Sequence, residues 1–212
     1  GDFGTSLVPR GRPALDIILE RIPNTLLLMI PAEIVTLLAA LAIGIYSAMR
    51  QYSWFDQVVT TGSFIGYSMP IFFIALASMY IFAVNFRKWG LPYLPTVGMF
   101  DPKVGKTFFQ VAIHMVLPIF SMAVISVSSW GRYIRSQILE VVSQDYIRTA
   151  YAKGLSERKV LVRHALKNAA IPMVTLLGIE IPFLLGGAVV TETIFGWPGM
   201  GYLFFDHLTK SD

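Results

Sequence analysis

Four stretches of this chain run for more than twenty residues almost without charge. Span A reads from Ile22 to Met49 and holds one acid, Glu33, with prolines at 23 and 31. Span B, Gln57 to Phe86, carries no charge. Span C, Phe108 to Trp130, has His114 as its one titratable group, and span D, Ala169 to Thr191, has Glu180 near its middle. About 20 mostly apolar residues in a helix cross a bilayer. The pattern therefore predicts an all-α, polytopic transmembrane helix bundle embedded in a lipid bilayer. Gly62 and Gly66 form a small-xxx-small pair suited to close helix approach. Pro70, Pro118 and Pro182 are expected to interrupt their spans, which is tolerated where neighbouring helices or a water-filled cavity satisfy the freed backbone groups.

Composition agrees. Of 212 residues, 55% are hydrophobic and 14% charged, against about 25% charged in a soluble domain. There is no cysteine, which excludes disulfides and thiolate metal chemistry. His114, His164 and His207 lack ligand spacing, so no metal site is assigned. The net charge of +4 is unevenly spread, which argues for one local polar role and against a nucleic-acid surface. No signal peptide opens the chain, and both ends read as cuts within a longer protein.

The charge concentrates between Gly131 and Asn168, where eight of the seventeen basic residues fall: Arg132, Arg135, Arg148, Lys153, Arg158, Lys159, Arg163 and Lys167. The positive-inside rule places this loop in the cytoplasm. The turn between spans A and B would then be cytoplasmic, and the loop between B and C external. Within the basic loop, Ala150 to Lys153 can close one helix with Gly154 as a left-handed cap. Ser156 can start the next, with Leu155 and Val160 as a hydrophobic staple. Ile147, Ala150, Tyr151, Leu155, Leu161 and Leu166 would form an apolar side. Two readings of this segment stay open on these grounds: a basic amphipathic element on anionic lipid, or a stiff docking element for a soluble partner.

The run from Asp145 through Ser156 (Asp-Tyr-Ile-Arg-Thr-Ala-Tyr-Ala-Lys-Gly-Leu-Ser), followed by Arg163-His164-Ala165-Leu166-Lys167-Asn168-Ala169 and Ile171-Pro172, closely resembles the permease signature of bacterial ABC importers. The branch resembled is the dipeptide/oligopeptide/nickel one. Gly154 matches the signature glycine. Arg148-Thr149-Ala150 stands where the general pattern has Glu-Ala-Ala, and Lys167 where it has Pro. Gly1 to Ser6, Arg21 to Leu26, Leu185 to Val190, Glu192 to Phe195 and Trp197 to Gly201 resemble other segments of the same branch.

The resemblance implies an ABC importer type I permease fold with six spans, four of them here, and a single permease domain over 1–212 with a coupling loop at about 131–168. It implies a translocation subunit for di- or oligopeptides in a bacterial or archaeal inner membrane. A second homologous permease, two ATPase subunits and an external substrate-binding protein would be its partners. No GxxxxGK[ST] loop is present, so this chain is expected to hold no cofactor and to be no enzyme, with ATP and Mg on the partner subunits. The coupling helix would present Asp145, Tyr146, Arg148, Thr149, Ala150, Lys153, Gly154, Leu155, Ser156, Arg158 and Arg163 to an ATPase. Glu180 and Glu33, acids within spans, are candidates for the substrate pathway. Trp197, Gly199 and Gly201 are candidates for contact with the binding protein. The alternatives are the same role for nickel or another small chelate, an ion-coupled transporter using Glu33 and Glu180, and a non-transporting scaffold.

Overall fold

The computed structural model describes residues 5–7, 10–161, 165–186 and 188–210. A short antiparallel ribbon, β1 (Thr5–Leu7) with β2 (Arg10–Pro13), precedes the helices. Among the described residues, everything after it is helix and connection. The helices are α1 (Ala14–Met49), α2 (Trp54–Ser68), α3 (Ile71–Met79), α4 (Phe86–Lys88), α5 (Phe108–Val142), α6 (Asp145–Ala152), α7 (Glu157–Val160), α8 (Leu166–Gly186), α9 (Val189–Ile194) and α10 (Met200–Thr209). A π-helical turn, Tyr80–Asn85, joins α3 to α4. Among the described residues three helical segments are long and apolar enough to cross a membrane: Ala14–Met49, Ile71–Lys88 and Phe108–Val142. The 21-residue α8 carries most of span D.

The helix limits differ from the sequence expectations in informative ways. Span A begins eight residues early, at Ala14, and runs through Pro23 and Pro31 without a break. Span B is broken: α2 stops at Ser68, and Pro70, in extended conformation, caps α3. Pro118 was expected to interrupt span C, but α5 is continuous across it. Helix α8 likewise continues past Pro182, and span D ends at Gly186 rather than Thr191. The largest difference is at the C-terminal end of α5, which overruns Trp130 by twelve residues. The reason is periodicity. Trp130, Ile134 and Ile138 continue at four-residue spacing and are all buried, so the helix has a core face to keep. Its 35 residues span about 52 Å, well beyond the ~30 Å of a hydrocarbon core. Residues 131–142 are thus helix extension, and the true connection is shorter than 131–168.

The chain forms two compact units. One comprises Gly1–Ile34, Met69–Ala123 and Pro182–Asp212, the other Val35–Ser68 and Val124–Ile181. In the first, Leu28, Met99, Val111, Met115 and Trp197 form one buried cluster, and Ala75, Leu117 and Phe195 another. In the second, Ala40, Ala48, Trp130, Ile134, Ile138, Ala169 and Met173 form the core. A Cβ on Gly44 would lie 2.8 Å from the Gly131 carbonyl oxygen, so glycine lets α1 and α5 meet at backbone distance. Gly66 serves the same purpose against Ser128, whereas Gly62, the other half of the expected pair, faces open space.

Candidate functional site

The short helix α6 and the turn after it pack against Val141 and Val142 at the end of α5, within the second unit. Ile147, Ala150, Val160 and Ala165 are buried together, with Leu155 and Leu161 packed against them. The helix ends in a Schellman arrangement. The Leu155 N–H donates to the Ala150 carbonyl at 3.3 Å and the Gly154 N–H to that of Tyr151 at 2.9 Å. Gly154 takes φ +77, the left-handed region. The Val160 N–H then closes on the Ser156 carbonyl at 3.0 Å, and Leu155 and Val160 share one cluster, as a staple requires.

With its apolar side turned inward, α6 offers a polar outer face. Asp145, Tyr146, Arg148, Thr149, Lys153, Gly154 and Ser156 are exposed. Tyr151, expected on the apolar side, is 43% exposed and belongs to this outer face. Ala150 is buried and Leu155 half-buried, so these two support the face and do not form it. Arg148 and Asp145 approach to 3.6 Å, but both are solvent-exposed, which makes the pair weak. The Tyr146 hydroxyl accepts from Asn168 Nδ2 at 2.9 Å, tying α6 to the start of α8. Arg163 lies outside the described residues, as does the Arg158 side chain.

Two turns before α5 runs out at Val142, a buried ion pair fixes its position. Arg135 donates from Nε and Nη2 to the two Asp56 carboxylate oxygens at 2.7 and 2.8 Å. Asp56 also accepts from the Ser47 hydroxyl and from the Tyr52 N–H at 2.9 Å. The guanidinium holds the Asp56 carboxyl well below the usual range, with the Ser47 and Tyr52 donors helping and burial opposing. Tyr52 adopts φ +63, unusual for a non-glycine residue. This pair was absent from the sequence reading. Its partners are 79 residues apart and no local spacing links them.

A second buried carboxylate lies in the first unit, after α8. Glu192 on α9 is fully buried. It accepts from Thr25 Oγ1 at 2.9 Å and from the Tyr202 N–H at 3.0 Å. Thr25 Oγ1 in turn accepts from the Met200 N–H at 2.7 Å. Two side chains therefore satisfy two of the first three N–H groups of α10, those of Met200 and Tyr202, which have no partners within their own helix, and the carboxylate meets the positive end of the helix dipole. Burial pushes the Glu192 carboxyl up, and its hydrogen bonds oppose this. Trp197, wholly buried, donates from Nε1 to the Asn24 carbonyl at 2.8 Å, and Asn24 Nδ2 donates to that of Pro198 at 2.9 Å.

This packing changes the expectation for Trp197, Gly199 and Gly201. All three are buried and present no surface to a partner. A Cβ on Gly199 would lie 2.4 Å from Glu192 Oε2, and one on Gly201 2.6 Å from the Val189 backbone. Their role in this structure is close approach. Gly199→Ala is expected to lower the thermal unfolding midpoint of the purified protein by a shift equivalent to about 1–3 kcal/mol, the usual cost of overpacking. A midpoint indistinguishable from the parent's would show that Glu192 moves aside freely.

The pathway candidates lie in different units. Glu33, half-buried on α1, belongs to the first. Glu180, half-buried on α8, belongs to the second. His114 is buried and its Nδ1 lies 2.7 Å from the Gln110 carbonyl oxygen. His164 is outside the described residues.

Residues 40–212 match the family described as binding-protein-dependent transport system inner membrane component. Over its full length the chain is 42% identical to the oligopeptide transport system permease protein AppB of Bacillus subtilis (strain 168), covering 66% of that protein. It is 40% identical to the glutathione transport system permease protein GsiC of Salmonella typhi, covering 64%. Against the dipeptide transport system permease protein DppB of Alkalihalophilus pseudofirmus the identity is 37%, with 67% covered. The chain thus spans about two thirds of the length of these relatives. Among solved structures, a crystal structure of an amino acid ABC transporter with histidines superposes with a TM-score of 0.65 at 14% identity. The match covers 93% of this chain and 81% of that one. At that identity the likeness establishes the fold alone.

Proposed function

We propose, from the premise that the chain belongs to the family of binding-protein-dependent transport system inner membrane components, that it is the membrane-spanning translocation subunit of an ATP-driven peptide importer. The peptide cargo is inferred from relatives named for oligopeptides, glutathione and dipeptides. Hydrolysis is assigned to separate ATPase chains, and substrate delivery to an external binding protein.

The observation that carries the reading is the α6 element. Its aliphatic side is consumed by Ile147, Ala150, Val160 and Ala165, so what remains is an outer face of Asp145, Arg148, Thr149 and Lys153 with the tyrosines 146 and 151. That face suits a groove on a soluble protein better than a lipid surface, which needs exposed apolar area. Helix α5 enters the element and α8 leaves it. A displacement of α6 by closing ATPase subunits would therefore be delivered to two membrane helices at once. The binding protein would meet the segment around α9 and α10 that Glu192 and Trp197 hold in shape, not those buried side chains themselves.

Arg148→Glu reverses a charge on the outer face without touching the buried cluster. It is expected to reduce several-fold the ATPase chains that co-purify with the full-length permease, leaving its membrane insertion unchanged. Undiminished co-purification would count against the docking role and favour a lipid-facing α6.

A further inference from the structure

Arg132 and Arg135 lie one turn apart on α5 but end in different surroundings. Arg135 closes on Asp56. Arg132 meets no carboxylate among the described residues. Its Nε donates to the Ser128 carbonyl at 3.0 Å, and its guanidinium carbon lies 4.8 Å from the Phe64 ring centroid and 5.2 Å from that of Tyr67. Two aromatic faces hold the plane of the cation, and of its five N–H donors four remain undirected.

The direction of this side chain is the informative point. Helices α2 and α5 run antiparallel within their unit. Asp56 pairs with Arg135, and Gly66 abuts Ser128. On that register the Arg132 backbone is level with about residues 60–62 of α2, yet its head group rests on Phe64 and Tyr67. It therefore reaches about 7 Å away from the α6 end. An arginine serving the membrane surface snorkels outward along its helix; this one reaches back into the span. A cation there must face the bundle interior or water. The surroundings agree, since Thr61 and Ser68, three residues before and four after Phe64 and so on its side of α2, are exposed polar residues.

The geometry points to Arg132 as an anion-binding residue of the translocation pathway that takes the terminal carboxylate of the passing peptide on its free Nη edge. Phe64 and Tyr67 position the fork, and a planar bidentate match to carboxylate is what guanidinium offers and ammonium does not. The inference rests on the peptide-transport reading above.

The test uses the complete transporter in liposomes, with its ATPases and binding protein. One peptide is supplied as the free acid and as the C-terminal amide, each at a concentration that saturates the binding protein. Arg132→Gln is expected to slow ATP-dependent uptake of the acid about tenfold and that of the amide by less than about twofold. Arg132→Lys should fall between for the acid. If Arg132→Gln does not assemble, Arg132→Lys must still slow the acid more than the amide. Equal losses for both peptides, including losses that follow the anionic lipid content of the vesicles, would overturn the inference and leave a structural or lipid-binding arginine. No ATP-dependent uptake of either peptide by the parent transporter would instead remove the transport reading itself.

Discussion

Asp56→Ala is expected to destabilise the second unit by about 3–5 kcal/mol, the usual penalty for stranding one partner of a buried ion pair. Domains are stable by only about 5–15 kcal/mol, so this variant should accumulate poorly and unfold early. Three losses coincide. Arg135 keeps its charge at 24% side-chain exposure with both carboxylate acceptors gone. The Ser47 hydroxyl and the Tyr52 N–H lose their acceptor. Tyr52, held at φ +63 in part by that bond, can relax and open the corner between α1 and α2. The decisive comparison is the double variant Asp56→Ala/Arg135→Leu, which removes both charges and should recover much of the lost stability. Thermal unfolding of the detergent-purified protein measures all three. A single variant that unfolds with the parent would show the pair to be ornamental. Because the folded-state pKa of Asp56 is depressed, the contribution of the pair is complete above its unfolded value of about 3.9. It is lost only as the pH falls below that, so the effect of the substitution should be constant across neutral pH.

What the sequence disclosed and what it withheld divide along one physical line. Features set by neighbours in the chain were readable. The spans follow from hydropathy, and the cap at Gly154 and the staple of Leu155 with Val160 follow from local spacing. Features set by a partner far along the chain were not. Asp56 reads as one polar residue in a turn and Arg135 as one more charge in a basic run, until folding closes the 79 residues separating them. Glu192 likewise reads as an ordinary acid until Thr25, 167 residues away, meets it. By charge alone, span C ends at Trp130, just before Arg132. The buried stripe through Ile134 and Ile138 shows that period decided. Gly199 and Gly201, read from the family resemblance as contacts for a binding protein, are buried in this structure. The structure uses their missing side chains to admit Glu192 and Val189.

Gly154→Pro is expected to abolish ATP-dependent uptake while leaving membrane insertion and yield near those of the parent. Gly154 sits at φ +77, which proline, held near −65°, cannot adopt. Its N–H donates to the Tyr151 carbonyl, a bond proline cannot make. A proline there also disfavours the near-helical backbone of Lys153, now φ −79 and ψ 5. The turn must therefore be rebuilt, and Leu155 moves off the Ile147–Val160 cluster that fixes α6. The core formed by Ala40, Trp130, Ile134, Ile138 and Met173 does not include Leu155, which is why insertion should survive. Gly154→Ala supplies the graded control. It keeps the N–H, and its Cβ would meet nothing within 4 Å, so only the left-handed backbone opposes it, by about 1–2 kcal/mol. Uptake by the alanine variant should fall partway. If α6 were a passive lipid-surface segment, its orientation would not be part of the power stroke and both variants would transport as the parent does. Near-normal uptake by Gly154→Pro therefore refutes the coupling role of α6 directly, whereas a loss graded from glycine through alanine to proline ties transport to the backbone geometry of this single turn.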